Sequence, residues 1–202
     1  FLRDPFVRGA RPLPALRQYY RPALDIAIAI VLEHAVDLSR RGGDVSLPSF
    51  VVNMNKVFED YLRNVLQGRA KVEEWPVTVL DGNTEGKKLL FDEEPSEDAT
   101  PDIVFRRKSD GSHPLVVEVK NVPGAGNSSR SAIEQALTYG VSYRSPRVVL
   151  AHPRGYGQAF AGLRLQGRIR DVEIYQYVYD SSAPSMVEEE ERFGDCLRSL
   201  LS

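Results

Sequence analysis

Near Gly68 the apolar residues of this chain change their repeat. Before it they recur every three or four positions, as Leu24, Ala27, Ile28, Val31, Leu32, Ala35 and then as Met54, Val57, Phe58, Tyr61, Leu62, Val65, Leu66. That spacing puts them on one side of a helix. It predicts one helix within residues 13–39, with Pro22 near the start of its main segment and Arg41-Gly42-Gly43 ending it. A second helix is predicted from about Asn53 to Leu66, closed by Gly68. Beyond it the apolar runs become short and strand-like: WPVTVL (75–80), KKLLF (87–91), PDIVF (101–105), PLVVEVK (114–120), RVVLAH (147–152) and DVEIYQYVY (171–179). WPVTVL and KKLLF are expected to pair across Asp81-Gly82-Asn83, and PDIVF with PLVVEVK across Ser109-Asp110-Gly111-Ser112. Helices are predicted at 130–143 and 184–201, and a short one at 155–163. Helices, then strands with a helix among them, then strand and helix imply a mixed α/β fold.

The 202 residues suffice for one domain with a substantial core, and 42% hydrophobic against 27% charged residues is the balance of a soluble protein. The longest apolar run, Ile26 to Leu32, is too short to cross a bilayer, and no secretory leader is visible. A lone Cys196 excludes internal disulfides and cysteine metal clusters and points to the cytoplasm. The first residue is Phe1 rather than Met, so a longer protein lacking its front is expected. The net charge of −2 hides an uneven layout. Arg3, Arg8, Arg11, Arg17 and Arg21 face one acid, Asp4, and six arginines between Arg144 and Arg170 face none. Such stretches suit phosphate backbones as well as ordinary solvated surfaces. His34, His113 and His152 have no metal spacing to one another, and no phosphate-cradling loop is present.

The charged residues of the second hairpin carry the chemistry. Side chains alternate faces along a strand, so Glu118 and Lys120 share one side of PLVVEVK while Leu115, Val117 and Val119 share the other. The hairpin brings Asp102 toward Glu118, because opposed residues lie roughly 5 Å apart. Two carboxylates at that distance repel unless one is protonated or a cation lies between them. Mg²⁺ suits hard oxygen ligands, and a lysine beside it orients or deprotonates an attacking water. Read alone, the same residues also fit a salt-bridged surface hairpin. Two helices add to them. Gln135 and Tyr139, four apart, share a face of the helix at 130–143, and Glu59 flanks the apolar stripe of the preceding helix.

In this order, FVVNMNKVFEDYL, PDIVF, LVVEVK, QALTYG and VVLAHP resemble the PD-(D/E)xK nuclease superfamily, in its RecB-like branch with a trailing QxxxY element. The closer resemblance, over roughly residues 19 to 200, is to the McrC family, nuclease subunits of McrBC-type restriction systems that act on modified DNA. It implies a restriction-endonuclease-like core at 49–202 behind a helical lead-in at 1–48. It further implies that Asp102 and Glu118 bind Mg²⁺, for which Mn²⁺ substitutes, with the Val119 carbonyl as a third ligand. Lys120 becomes the catalytic lysine, Glu59 the assisting glutamate, and Gln135 with Tyr139 the QxxxY pair. Family members often carry Asp where this chain has Glu118. The implied activity is DNA cleavage within a complex driven by a McrB-like AAA+ GTPase, whose docking region lies mostly upstream, with no membrane involved. Arg144, Arg147 and Arg154 are expected to hold the DNA backbone, and recognition of a modified base to reside in the partner. The alternatives are a stand-alone RecB-like exonuclease in repair and a catalytically silent DNA-binding or assembly module.

Overall fold

The structure, a computed structural model, describes residues 52–93, 96–123 and 128–202. The chain divides into two units, Phe1–Met54 and Asn55–Ser202. The expected helix at 13–39 and the N-terminal arginines lie outside the described residues. In the second unit helix α1 (Met54–Val72) precedes strands β1 (Val77–Asp81), β2 (Lys88–Leu89), β3 (Asp98–Ala99), β4 (Ile103–Arg107) and β5 (Leu115–Val119). Helix α2 (Arg130–Ser142), strands β6 (Arg147–Pro153), β7 (Gly162–Ile169) and β8 (Val172–Tyr179), and helix α3 (Met186–Ser199) complete it.

Six strands form one mixed sheet in the order β1-β4-β5-β6-β8-β7, and β2 pairs with β3 separately. The neighbours β5–β6 and β6–β8 run parallel, while β1–β4, β4–β5 and β7–β8 run antiparallel. Strand alternation sorts the core into two layers. Ile103, Phe105, Leu115, Val117, Val149, Ala151, Tyr177 and Tyr179 meet Leu62, Leu66 and Ala70 of α1 and Phe193 and Leu197 of α3. On the other face Val104, Val116, Val148, Leu150 and Ile174 meet Ala132, Ala136 and Tyr139 of α2. The central sheet is thus flanked by helices on both sides, as expected from the order of elements. Among the described residues no helix is long and apolar enough to cross a membrane.

Three local expectations are corrected. Helix α1 runs through Gly68 to Val72, because Ala70 continues the buried stripe and a Cβ at Gly68 would meet nothing within 4 Å. The chain turns only after Val72, where Glu74 takes a φ of 51°. Strand β1 pairs not with KKLLF but with β4, in the register Val79↔Phe105. The Asp81 carbonyl accepts from the Thr84 and Gly86 N–H groups, so the chain curls there instead of returning along β1. Ile103, Val104 and Phe105, all fully buried, fill the inner position, and Lys88–Leu89 pairs with Asp98–Ala99. Residues 155–161 are not helical: Gly157 and Gly162 have φ values of +73° and +114°, and the chain enters edge strand β7.

Candidate active site

The hairpin β4–β5 ends where its sequence says it must. The ladder holds from Phe105↔Leu115 to Ile103↔Val117, and the same register continued one step sets Asp102 beside Glu118. Pro101 has no N–H to extend it. The Val119 N–H is taken instead by the Asp102 carboxylate, through Oδ2 at 2.6 Å. Asp102 is further located by Gly82, whose N–H donates to the Asp102 carbonyl at 3.4 Å. A Cβ on Gly82 would lie 1.9 Å from the Pro101 carbonyl oxygen, so only glycine lets the β1–β2 turn approach this closely.

Glu118 belongs to a central strand and is only 5% exposed. Its Oε1 accepts from Lys120 Nζ at 2.7 Å. Its Oε2 is buried with no hydrogen-bond partner. Lys120 Nζ also donates to Gln135 Oε1 at 2.7 Å, and Gln135 Nε2 donates to the Tyr139 hydroxyl at 3.0 Å. The i, i+4 spacing on α2 thus forms a chain from tyrosine to glutamine to lysine to glutamate. Tyr139 is largely buried beneath it, which fixes the far end. Ser129 caps α2, accepting from the Ala132 N–H at 3.3 Å, and sets the helix start next to Lys120.

The acids are electrostatically strained. Burial pushes Asp102 up to about 7, and the Glu118 charge adds to it against the Val119 N–H. Burial also raises Glu118, opposed chiefly by the Lys120 hydrogen bond. The Glu59 charge raises both in smaller measure. Glu59 itself bonds elsewhere, with Lys56 Nζ at 2.6 Å and Arg63 Nη1 at 3.1 Å, and Arg63 Nη1 also reaches Asp81 Oδ2 at 3.1 Å. Glu59 is therefore a neighbour of the constellation through its field, with no hydrogen bond to Asp102, Glu118 or Lys120 among the described residues.

This donor set fits a hard divalent cation. An orphaned buried carboxylate oxygen costs free energy that a cation would offset, and a second carboxylate raised by its neighbour's charge points the same way. Among the described residues no group of three or more His, Cys, Asp or Glu could hold a metal ion. A cation here would use Asp102, Glu118 and the Val119 carbonyl, and fill the rest of its sphere from water or phosphate, a mixture Mg²⁺ accepts.

The expected DNA-backbone arginines do not gather here. Arg147 opens β6, at the opposite end from Ala151, which pairs with Val119. It donates to the Leu200 and Ser202 carbonyls at 2.6 and 2.7 Å and pairs with Glu173, so it ties down the C-terminal segment. Arg144 follows α2 at that same far end, 3.7 Å from Asp92. Arg154 lies just past the near end of β6 but is engaged by Asp180 and the Gln158 carbonyl.

Beside Lys120 and Gln135 the structure holds a cavity of about 450 Å³ that the strand-and-helix reading did not anticipate. His152 and Gln176 line it. His152 is buried, its pKa lowered by that burial, and its Nδ1 donates to the Val122 carbonyl at 3.2 Å. A carbonyl only accepts, so Nε2 is the acceptor facing Ser128 Oγ at 3.4 Å. Gln176 is fully buried in the middle of β8. A glutamine inside the apolar run EIYQYVY was the sequence signal for it.

The chain also has known counterparts. The family described as McrBC 5-methylcytosine restriction system component matches residues 11–153. The chain belongs to that family. The matched span contains Glu59, Asp102, Glu118, Lys120, Gln135 and Tyr139. No curated protein matches. Among solved structures, a chain of the half-complex from the tetradecameric assembly of Thermococcus gammatolerans McrB AAA+ hexamers with bound McrC is similar in fold, with a TM-score of 0.58 at 18% identity. The likeness covers 95% of this chain and 41% of that one, so this McrBC-family chain spans about two-fifths of the solved chain's length.

Proposed function

We propose that this chain is the DNA-cleaving subunit of a McrBC-like restriction system, a Mg²⁺-dependent endonuclease on a PD-(D/E)xK core, acting in the cytoplasm on modified foreign DNA. The observation that carries this reading is Glu118 Oε2, buried without a partner beside Asp102 and within reach of the lysine network. A structural salt bridge would satisfy both oxygens of a carboxylate buried this deeply. When bound, the cation would act as a Lewis acid on the scissile phosphate and lower the pKa of a water.

The chain's own residues do the rest. Asp102 and Glu118 would hold the cation, with the Val119 carbonyl as a further ligand. Gln135 holds the Lys120 ammonium against Glu118, where its remaining N–H would donate to the attacking water and orient it. Tyr139 fixes the Gln135 amide, so that its oxygen faces the lysine. Glu59 would add negative potential that draws a divalent cation as well as raising both acids. In the T. gammatolerans assembly McrC is bound to McrB AAA+ hexamers; by analogy a McrB-like GTPase is the partner of this chain.

Purified protein, with and without such a GTPase, is assayed on methylated and unmethylated DNA with Mg²⁺. The wild type is expected to cut only with Mg²⁺ or Mn²⁺ present, and Lys120→Ala or Asp102→Ala to abolish cutting while folding is retained. Full activity in either folded variant would overturn the assignment. Degradation from DNA ends without GTPase or GTP would indicate an exonuclease instead.

A further inference from the structure

Arg63 is a cation beside the acids of the site that the cleavage chemistry does not use. It lies on α1, one turn after Glu59, and its side chain is only 12% exposed. It is turned toward carboxylates. Its Nη2 donates to Asp60 Oδ1, and its Nη1 donates to Glu59 Oε1 at 3.1 Å. The same Nη1 lies 3.1 Å from Asp81 Oδ2, at the end of β1.

Pairs within one helix are common and contribute little at a surface. The pair with Asp81 differs, because it joins α1 to the sheet at the place where Asp102 is held. Asp81 stands opposite Ile103 in the β1–β4 register, so Gly82 and Asp102 are the next residues on either side. The Asp81 carboxylate divides its oxygens between two tasks. Oδ1 accepts from the Asn83 N–H at 2.8 Å and shapes the turn. Oδ2 faces Arg63. The turn so fixed carries Gly82, whose N–H donates to the Asp102 carbonyl at 3.4 Å and whose missing Cβ lets Pro101 approach. Arg63, Asp81, Gly82 and Asp102 thus form one line of contacts from helix to carboxylate. Arg63 also holds Glu59 in place, together with Lys56 Nζ at 2.6 Å.

We infer that Arg63 is a positioning residue for the cleavage reaction: it clamps Asp81 and Glu59, and through the β1–β2 turn it fixes where the Asp102 carboxylate stands. It does so without touching substrate or metal. Its two terminal nitrogens divide the work, Nη2 on Asp60 and Nη1 on Glu59 and Asp81, whereas a lysine has one nitrogen to place. The inference rests on the nuclease reading and adds to it the group that preorganises the first acid.

The test compares Arg63→Met with Gln67→Leu in the full chain. Gln67 is the control. It lies one turn further along α1, and its Nε2 donates to the Val79 carbonyl at 3.1 Å, so it also ties α1 to β1 but away from Asp81. The first readout is NMR of the metal-free protein, following the Val119 amide, which reports the bond to Asp102 Oδ2. Arg63→Met is expected to move that signal upfield as the bond weakens, and Gln67→Leu to leave it in place, whichever variant melts lower. The second readout is cleavage with Mg²⁺. Arg63→Met should lower kcat by about 10- to 100-fold with KM little changed, the usual loss when a group that orients a metal ligand is removed. Arg63→Lys should recover part of it, and Gln67→Leu should keep the wild-type kcat. Asp81→Asn keeps the Oδ1 acceptor but turns an N–H₂ toward Arg63, so it should match Arg63→Met and serves in its place if that variant does not fold. The double variant should cost no more than the larger single effect. A Val119 amide unmoved in Arg63→Met, or moved equally by Gln67→Leu, would overturn the positioning role. Lys120→Ala keeps the two claims apart. If it abolishes cleavage while Arg63→Met leaves kcat and the Val119 amide untouched, the nuclease reading stands and the positioning role falls. If Arg63→Met moves the Val119 amide but Lys120→Ala still cuts, the nuclease reading falls and the hold on Asp102 stands.

Discussion

Replacing Lys120 by Met keeps the aliphatic stem and removes the ammonium. The side chain donates to Glu118 Oε1 and Gln135 Oε1, both at 2.7 Å, and Glu118 is 5% exposed. Without Nζ, Glu118 Oε1 loses its side-chain donor, Oε2 has none already, and only the Asp102 backbone N–H still favours the carboxylate. Hydrogen bonds to charged groups contribute about 1.5–3 kcal/mol. Lys120 is about a quarter exposed, with a side-chain value of 28%, and Glu118 can escape part of the cost by protonating. A net loss of about 2 kcal/mol follows, or about 4–8 °C in Tm for a chain of this size. The loss depends on pH. Burial already raises the Glu118 carboxyl in the folded protein. An acid raised on folding favours the folded state at low pH and weakens it as pH rises through the folded value. Removing the lysine raises Glu118 further, so the Tm deficit is largest near pH 8 and shrinks near pH 5. Calorimetry of the metal-free protein at both pH values measures it. Adding Glu118→Gln to Lys120→Met should recover part of the stability at pH 8 and none of the cleavage. A deficit that is absent, or equal at both pH values, would refute the reasoning.

Asp102 supplies a second pH dependence. Its carboxyl is raised from 3.8 to about 7, so the folded protein holds a proton that the unfolded chain releases. Metal-free stability should therefore fall as pH rises between these values, and Asp102→Asn should flatten that slope and be the more stable form above it, as thermal melts in EDTA across that range will show. Gly82→Ala places a methyl 1.9 Å from the Pro101 carbonyl oxygen. It should cost about 1–3 kcal/mol in urea unfolding and lower cleavage by displacing Asp102, although residue 82 touches no substrate. Tyr139→Phe removes the acceptor of Gln135 Nε2 and should lower kcat more than KM while leaving the fold intact.

The central parts of this arrangement were legible because they depend on short-range rules. Strand alternation alone put Glu118 and Lys120 on one face, and a two-strand hairpin put Asp102 near them. Helical spacing paired Gln135 with Tyr139. The partners of these residues were less legible. Arg147 read as a phosphate holder, yet it ties down the Leu200 and Ser202 carbonyls, an arrangement set by where the C-terminal segment packs. Glu59 sits near the acids but bonds to Lys56 and Arg63, because ion pairs one helical turn away compete for it. The short β2 failed to claim β1 because β4 buries three consecutive apolar residues, a non-local preference that a turn motif does not reveal. The setting of Gln176 became visible only when β7 placed Arg164 across from it.

The most direct test of the account is crystallographic. Crystals of the chain grown or soaked with Mn²⁺ are measured for anomalous scattering from the metal. The account predicts one strong peak shared by Asp102, Glu118 Oε2 and the Val119 carbonyl, lost in Asp102→Asn. A peak bound elsewhere, or none at millimolar Mn²⁺ with both carboxylates ordered as described, would contradict it.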